Sequence, residues 1–250
     1  MSSGRATLYF LLLANAGCNR TTPAAVPTWT TAQPGLWTAQ LVLEGGVRGY
    51  GVRFDQSRYA LSLIWSPTGL HIPEARPTDA VAIWNGGYFE QDLRPSGLLI
   101  DQGRQAAPPN SGSALIVFGR DGDPMRLVRY GDRPDLSDSV TSALQIWPFL
   151  LEPGGVDGIR RDDQKRARRS AIGLDALGRG ILLAVVDDGI SLYRLMRLLR
   201  ELGAVVAANL DGGPSTGFGL AGGPEWSSPA QTLVSNALVL RPRLPGGQDQ

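Results

Sequence analysis

The chain has 250 residues, enough to bury a sizeable core, and a net charge of +1 that gives no electrostatic footprint for nucleic acid. With one His and one Cys it carries no structural zinc or disulfide framework, and a Ser–His–Asp triad would have to use His71, which its surroundings "GLHIPEARP" do not recommend. Gly and Pro, 32 and 18 residues, make the chain turn-rich, but the apolar runs that supply its 42 % hydrophobic content recur too regularly for disorder.

The first segment reads "MSSGRATLYFLLLANAGC". Arg5 is a short basic start, Ala6 to Ala14 is an apolar stretch too short to span a bilayer, and small residues precede Cys18. This resembles a bacterial lipoprotein signal over residues 1–17, with cleavage leaving Cys18 to carry lipid and anchor the chain to a membrane. Asn15 departs from that pattern, where an aliphatic residue is usual, so an ordinary cleaved signal is the rival reading. Either way the chain is expected to be exported, to the cell envelope, periplasm or exterior. Residues 18–33, polar and rich in Thr and Pro, suit a tether.

From residue 34 to 242 the pattern is that of short strands. "LWTAQLVLEG", "GYGVRF" and "YALSLIWS" alternate apolar and polar residues, and "DAVAIWNGGYF" runs a strand into a Gly-Gly turn. "GLLIDQGR" reads as strand and turn, and "GSALIVFGRDGDPMRLVRY" as a hairpin. "SALQIWPFLLEPGG" is an apolar run broken at Pro148, and "SAIGLDALGRGILLAVVDD" a strand, turn and second strand. In "SLYRLMRLLRELG" Leu192, Leu195, Met196, Leu199 and Leu202 share one helical face, Gly203 supplies the stop, and the preceding "DDGIS" offers an N-cap. "AVVAAN" and "TLVSNALVLRP" are further strands, and residues 243–250 form a loose tail. Strands outnumber helices and no βαβ series occurs, so the fold class is α+β: a strand-rich, mixed-sheet domain with few helices.

"AANLDGGPST" packs an acid, an amide, two glycines and two hydroxyls behind an apolar run. As structure, it is a strand and a turn in which Gly212 and Gly213 supply φ > 0 and Asp211 caps its own turn. As a site, the strand end places side chains rigidly, the glycines admit a ligand to the backbone, and the polar groups converge on it. "AVAIWNGG" echoes "VVAANLDGG": both are buried strands ending in Asn and a Gly pair, which side by side would share one rim.

Four segments in order, "NGGYF…PSGLLIDQGR", "ALQIWPFLLEPGG", "RRSAIGLDALGRGILLAVVD" with its helix, and "NLDGGPST", resemble the phosphodiester glycosidase domain family over roughly residues 50–240. That family includes the lysosomal "uncovering" enzyme, an N-acetylglucosamine-1-phosphodiester α-N-acetylglucosaminidase. The resemblance implies a hydrolase for glycan sugar-1-phosphodiester linkages. Its pattern falls on Asn85, Gly86, Gly87 and Gln145 as substrate-binding residues, with Gly212, Gly213, Ser215 and Thr216, and on Asp211, Arg169 and Asn209 as the catalytic set. Pro214 stands where many members have Gly or Ser.

The chemistry is coherent with these residue types. A phosphate monoester leaves readily and needs positive charge and N–H donors more than a general acid. Arg169 would fork onto phosphate oxygens, the backbone amides and hydroxyls of "DGGPST" would form an anion nest, and Asp211 would stabilise an oxocarbenium-like carbon or activate water. Asn85, Gln145 and Asn209 would orient sugar hydroxyls or water. Each has a plainer role: Arg169 sits in "RRDDQKRARR", which also reads as a solvated loop, Asn85 can cap its turn, and Gln145 can satisfy backbone beside Trp147. Glu90, Asp92 and Asp101 are second-carboxylate candidates by position only. No cofactor is implied; Ca²⁺ or Mg²⁺ at Asp211 stays open, without a ligand-dense loop. The rival functions are an envelope lipoprotein that binds anionic glycans without catalysis, and a phosphodiesterase that cuts P–O.

Overall fold

The computed structural model describes residues 28–119, 123–133, 140–222 and 224–243. The signal segment, Cys18, the tether up to residue 27 and the tail from 244 lie outside the described residues.

The strands form three sheets of eight, five and five strands. The largest carries, in spatial order, Thr30–Gln33, Leu36–Val42, Arg48–Phe54, Gly180–Ile190, Ala167–Asp175, Ala204–Asn209, Phe149–Glu152 and Val156–Asp157. The second orders Arg104–Ala107, Leu99–Asp101, Val140–Ile146, Ala114–Gly119 and Arg126–Arg129. The third orders Ser227–Ser228, Phe218–Leu220, Ala82–Asn85, Val234–Pro242 and Tyr59–Leu70. The strand-rich α+β class is as read from the sequence, with one correction. The sheets are not mixed: every strand pairing among the described residues is antiparallel. Tight turns such as 175–180 reverse the chain between neighbours, and the helical connection 191–203 joins two strands that run the same way but are separated by Ala167–Asp175, so they do not pair. A second correction concerns the domain start. Thr30–Gln33, assigned to the tether, is an edge strand paired with Leu36–Val42.

One apolar core lies between the three sheets. Ile172, Leu182, Ala184, Val206 and Ala208 of the large sheet meet Leu99, Ile116, Leu144 and Ile146 of the second and Leu63, Trp84, Phe218 and Leu238 of the third. The alternate residues of the same strands, Ala171, Ile181, Leu183, Val185 and Ala207, face the other way and pack under the helix Leu192–Glu201. Its Leu195, Met196, Leu198 and Leu199 are buried there, and Ser191 caps it by accepting the Arg194 N–H at 3.3 Å. Both faces of the central strands are therefore buried, which is why "ILLAVV" and "AVVAA" read as continuous apolar runs. This construction fixes the ends of Ala82–Asn85, Ala204–Asn209 and the start of Ala167–Asp175, where the polar residues collect.

Candidate active site

Two strand ends meet at one rim. The Ala82–Asn85 strand continues into Gly86 and Gly87, and the Ala204–Asn209 strand into Leu210 and Asp211. The Asp211 N–H donates to the Gly86 carbonyl at 3.0 Å, and Asn85 Nδ2 donates to the Asp211 carbonyl at 2.8 Å. Asn85 Oδ1 accepts from Ser170 Oγ at 2.6 Å and from the Gly217 N–H at 3.2 Å. Asn85 is fully buried, and its amide is spent on joining both turns and the Ala167–Asp175 strand. Nothing of it is left for a ligand. Asn236 plays the reciprocal part: its carbonyl accepts the Gly86 N–H at 3.0 Å and its Oδ1 accepts the Gly87 N–H at 2.7 Å. A Cβ at Gly86 would sit 2.1 Å from Asn236 Oδ1, so the turn needs glycine there.

Gln145 is likewise structural. Its Oε1 accepts the Leu98 and Asn110 N–H groups at 2.9 and 3.0 Å, and its Nε2 donates to the carbonyls of Asn110 and Gly112 at 3.1 and 2.7 Å. Two donors and two acceptor positions are thus consumed by backbone. The substrate-contact role expected of Asn85 and Gln145 becomes a positioning role, because a saturated buried amide has nothing to offer a sugar.

The Asp211 turn departs from the expected anion nest for a related reason. Gly212 is extended at φ −123, and its N–H donates to Asp211's own Oδ1 at 2.9 Å. The N–H groups of Ser215 and Thr216 close a tight helical turn onto the carbonyls of Gly212 and Gly213 at 3.3 and 3.1 Å. Only Gly213 has the left-handed conformation, φ +58, and open space lies where its side chain would be. The glycine pair makes room for a ligand more than it donates to one. The Asp211 carboxyl is half-buried. Burial raises its pKa, and hydrogen bonds from the Ser215 side chain and the Gly212 N–H oppose that. Thr216 is fully buried, its hydroxyl without a partner among the described residues.

Arg169 enters from the neighbouring strand. A Cβ on Gly212 would lie 3.8 Å from Arg169 Cδ, so the arginine stem runs beside the turn. Its Nε donates to the Ile190 carbonyl at 3.3 Å and its Nη2 to the Lys165 carbonyl at 2.8 Å. Arg169 is half-buried, which settles its context: it belongs to the strand Ala167–Asp175 and not to the solvated loop before it. Burial disfavours its charge, and Tyr88 and Asp163 favour it. Nη1 keeps both N–H groups without a protein partner among the described residues.

Asn209 ends its strand beside Tyr88 and Trp147. Its Nδ2 donates to the Tyr88 hydroxyl and, at 3.5 Å, to the Trp147 carbonyl. The Tyr88 hydroxyl donates to the same carbonyl at 2.7 Å, and the two aromatic rings stack with centroids 4.2 Å apart. Burial pushes the Tyr88 pKa up to about 12, with the nearby Asp211 charge acting in the same direction and Asn209 and Arg169 opposing it. Tyr88 thus stands within electrostatic reach of both Asp211 and Arg169.

Sequence reasoning missed Tyr88, Trp147, Ser170, Asn236 and Arg168. Arg168 is buried, and its Nη2 donates to the Thr216 carbonyl at 2.7 Å and the Pro229 carbonyl at 3.1 Å, tying down the far end of the Asp211 turn. The available signal was polarity inside apolar strands, as in "SNALVL" and "RRSAIG". The second-carboxylate candidates are engaged elsewhere. Asp92 pairs with Arg94 at 2.6 Å, Glu90 accepts from Ser96, and Asp101 lies half-buried on the second sheet, its pKa raised by that burial. Among the described residues no group of three or more His, Cys, Asp or Glu is placed to hold a metal ion. A cavity of about 260 Å³ is lined by Ser113, Arg129, Pro148, Phe149, Glu152 and Gly158. It shares the Pro148 backbone with the site, through the Asn209 N–H bond at 3.0 Å, but none of the polar groups above.

A sequence model of the phosphodiester glycosidase family matches residues 78–241, which contain every residue of this site. The chain belongs to the phosphodiester glycosidase family. No curated protein matches it. Among solved structures it is similar to the zebrafish N-acetylglucosamine-1-phosphodiester α-N-acetylglucosaminidase catalytic domain, auto-inhibited by its pro-peptide, at 18% identity and TM-score 0.64, covering 86% of each chain. It is also similar to a hypothetical protein from Synechocystis, at 18% identity and TM-score 0.59, covering 87% of this chain and 64% of that one. At such identities the structural likeness speaks for the fold; the membership rests on the family match.

Proposed function

We infer that this phosphodiester glycosidase-family chain is an exported hydrolase that cleaves sugar-1-phosphodiester linkages of envelope or extracellular glycans, with Asp211 and Arg169 as its catalytic pair. The observation that carries the reading is the half-buried Asp211 carboxyl on a turn braced by Asn85, Gly86 and Arg168, with the Arg169 stem alongside. The name of the zebrafish relative, a glycosidase for an N-acetylglucosamine-1-phosphodiester, supports the same bond class.

In this reading Arg169 Nη1 and the Gly213 N–H hold the phosphate oxygens. The C1–O bond breaks, and its electron pair leaves on the phosphate monoester. Asp211 stabilises the cationic character at C1 or orients the attacking water, which supplies the new hydroxyl on C1 and gives up its other proton to the released phosphate monoester or to solvent. A leaving group this acidic needs little protonation, which fits a site with one carboxyl in its centre. Hydrolysis of a panel of sugar-1-phosphodiesters in ¹⁸O water, read by mass spectrometry, tests the reading. Label in the free sugar is expected; label in phosphate means P–O cleavage, and no turnover across the panel means a binding protein.

A further inference from the structure

The geometry points to Tyr88 as a specificity-determining positioning residue: with the Trp147 carbonyl it locks the Asn209 amide so that Oδ1 is presented to a hydrogen-bond donor on the substrate. The donor class is a sugar hydroxyl or an acylamino N–H. The inference rests on the glycosyl phosphodiester reading above for the kind of ligand.

The orientation follows from what each group can do. A backbone carbonyl only accepts. The Trp147 carbonyl lies 2.7 Å from the Tyr88 hydroxyl, so the phenol proton is committed to it. The phenol oxygen then has only lone pairs left for Asn209. It therefore takes Nδ2, as does the Trp147 carbonyl itself at 3.5 Å. The flipped amide would set Oδ1 against the carbonyl oxygen and against a hydroxyl with no free proton, two repulsive contacts in place of two bonds. The lock is rigid as well as directional, because the Tyr88 ring stacks on Trp147 at 4.2 Å and the Asn209 backbone N–H is held by the Pro148 carbonyl at 3.0 Å.

Oδ1 is then left over. It is buried and has no partner among the described residues, although Asn209 is only 2% exposed. A buried acceptor without a donor is destabilising, and native proteins keep few of them. This one stands at a strand end, two residues before Asp211 and beside a tyrosine within electrostatic reach of Asp211 and Arg169. A donor carried in on the ligand completes it. A site that must pair a buried polar atom rejects a ligand lacking the matching group far more strongly than an apolar pocket rejects a missing methylene. The Asn209 amide thus reads one donor position on the sugar, and Tyr88 keeps it reading a donor instead of an acceptor.

The test uses a non-cleavable probe, the methyl ester of an α-N-acetylglucosaminylmethylphosphonate, in which CH₂ replaces the anomeric oxygen. Its 3-deoxy, 4-deoxy and 6-deoxy analogues, and the analogue with an O-acetyl in place of the acetamido group, each lack one donor. Calorimetric titration of the wild-type protein is expected to show one analogue weakened at least about tenfold, its identity separating a hydroxyl from an acylamino N–H. In Tyr88→Phe the same analogue and the parent should bind within about threefold of each other, since the freed amide can turn its N–H₂ to the ligand. A purely structural tyrosine would instead weaken all ligands alike. The inference is overturned if no analogue loses affinity in the wild type, a result that needs no variant to fold. It is equally overturned if Tyr88→Phe keeps the full discrimination. Selective binding with no cleavage of the matching O-linked diester would sink the hydrolase reading and leave this inference standing. Failure of the parent to bind would remove both.

Discussion

Asp211 carries two opposed demands, and a single substitution separates them. Burial raises its pKa, so the folded state binds the proton more tightly than the unfolded chain does. By linkage, that contribution is favourable below the unfolded carboxylate pKa and is lost as pH rises through the raised folded value, leaving the ionised group a net burden at neutral pH. Asp211→Asn keeps an acceptor for the Gly212 N–H and removes the buried charge. Its melting temperature at pH 7 should therefore equal or exceed that of the wild type, while kcat on a cleaved phosphodiester falls by about 10²–10³ or more. Wild-type turnover in that variant would remove Asp211 from the chemistry. The wild-type rate should also fall on the acid side at a higher pH than an ordinary carboxylate would give, as Asp211 takes its proton. Arg169→Lys makes the companion case. A lysine keeps the charge but cannot bond the Ile190 and Lys165 carbonyls while also reaching outward with a free N–H pair. KM for the phosphodiester should rise by about tenfold or more, with a smaller change on a neutral sugar ligand. Equal effects on both would mean the arginine only braces the strand.

At the scale of elements, stability and function divide between the packing under the helix and the rim where the two Asn–Gly ends meet. Leu199 is fully buried where the helix packs on the large sheet, in the cluster of Ala171, Leu183 and Ala207, and takes part in none of the hydrogen bonds that brace the Asp211 turn. Leu199→Ala should lower stability by about 2–5 kcal/mol with kcat unchanged in the folded fraction. Asn85→Ala sits at that rim and strips four hydrogen bonds from buried groups that join both turns. It should lower stability and kcat together, and thermal unfolding alongside turnover distinguishes the two classes. If Asn85→Ala loses stability alone, the turn keeps its shape without the amide. These same features mark what could be read in the sequence. Helix, hairpins and strands were legible because period and turn residues are local, and the pairing of the two Asn–Gly ends was legible from their echo. The saturation of Gln145 was not, since its partners at Leu98, Asn110 and Gly112 come from another stretch of chain. Nor was the small role left for the "DGGPST" amides, because a turn that bonds to itself and a turn that binds an anion share one composition. Tyr88 was overlooked for the same reason: its value comes from Trp147 and Asn209, which are distant in sequence.

For the whole molecule, the ordered domain and its attachment are separate questions. The first strand begins at Thr30, twelve residues beyond Cys18, and an extended chain of that length reaches at most about 40 Å. If Cys18 carries lipid, that tether lets the site meet glycans near the membrane surface without the domain inserting, and among the described residues no helix is long and apolar enough to cross a bilayer. A single acyl chain binds membranes only marginally, so stable anchoring requires the multiple chains of a lipoprotein cysteine. Cys18→Ser should then move the protein from the membrane fraction to the soluble exported fraction. Its kcat/KM on a small soluble phosphodiester should stay unchanged, because no site residue lies before Asn85. Turnover of the same linkage in membrane-bound glycan should fall, since the tether no longer concentrates enzyme at the surface. Mass spectrometry of the wild-type protein supplies the independent check, with a mature chain beginning at an acylated Cys18 as the expected result. A cleaved, lipid-free chain would end the anchor proposal and keep export; an uncleaved chain retaining Met1 in the cytoplasm would end both.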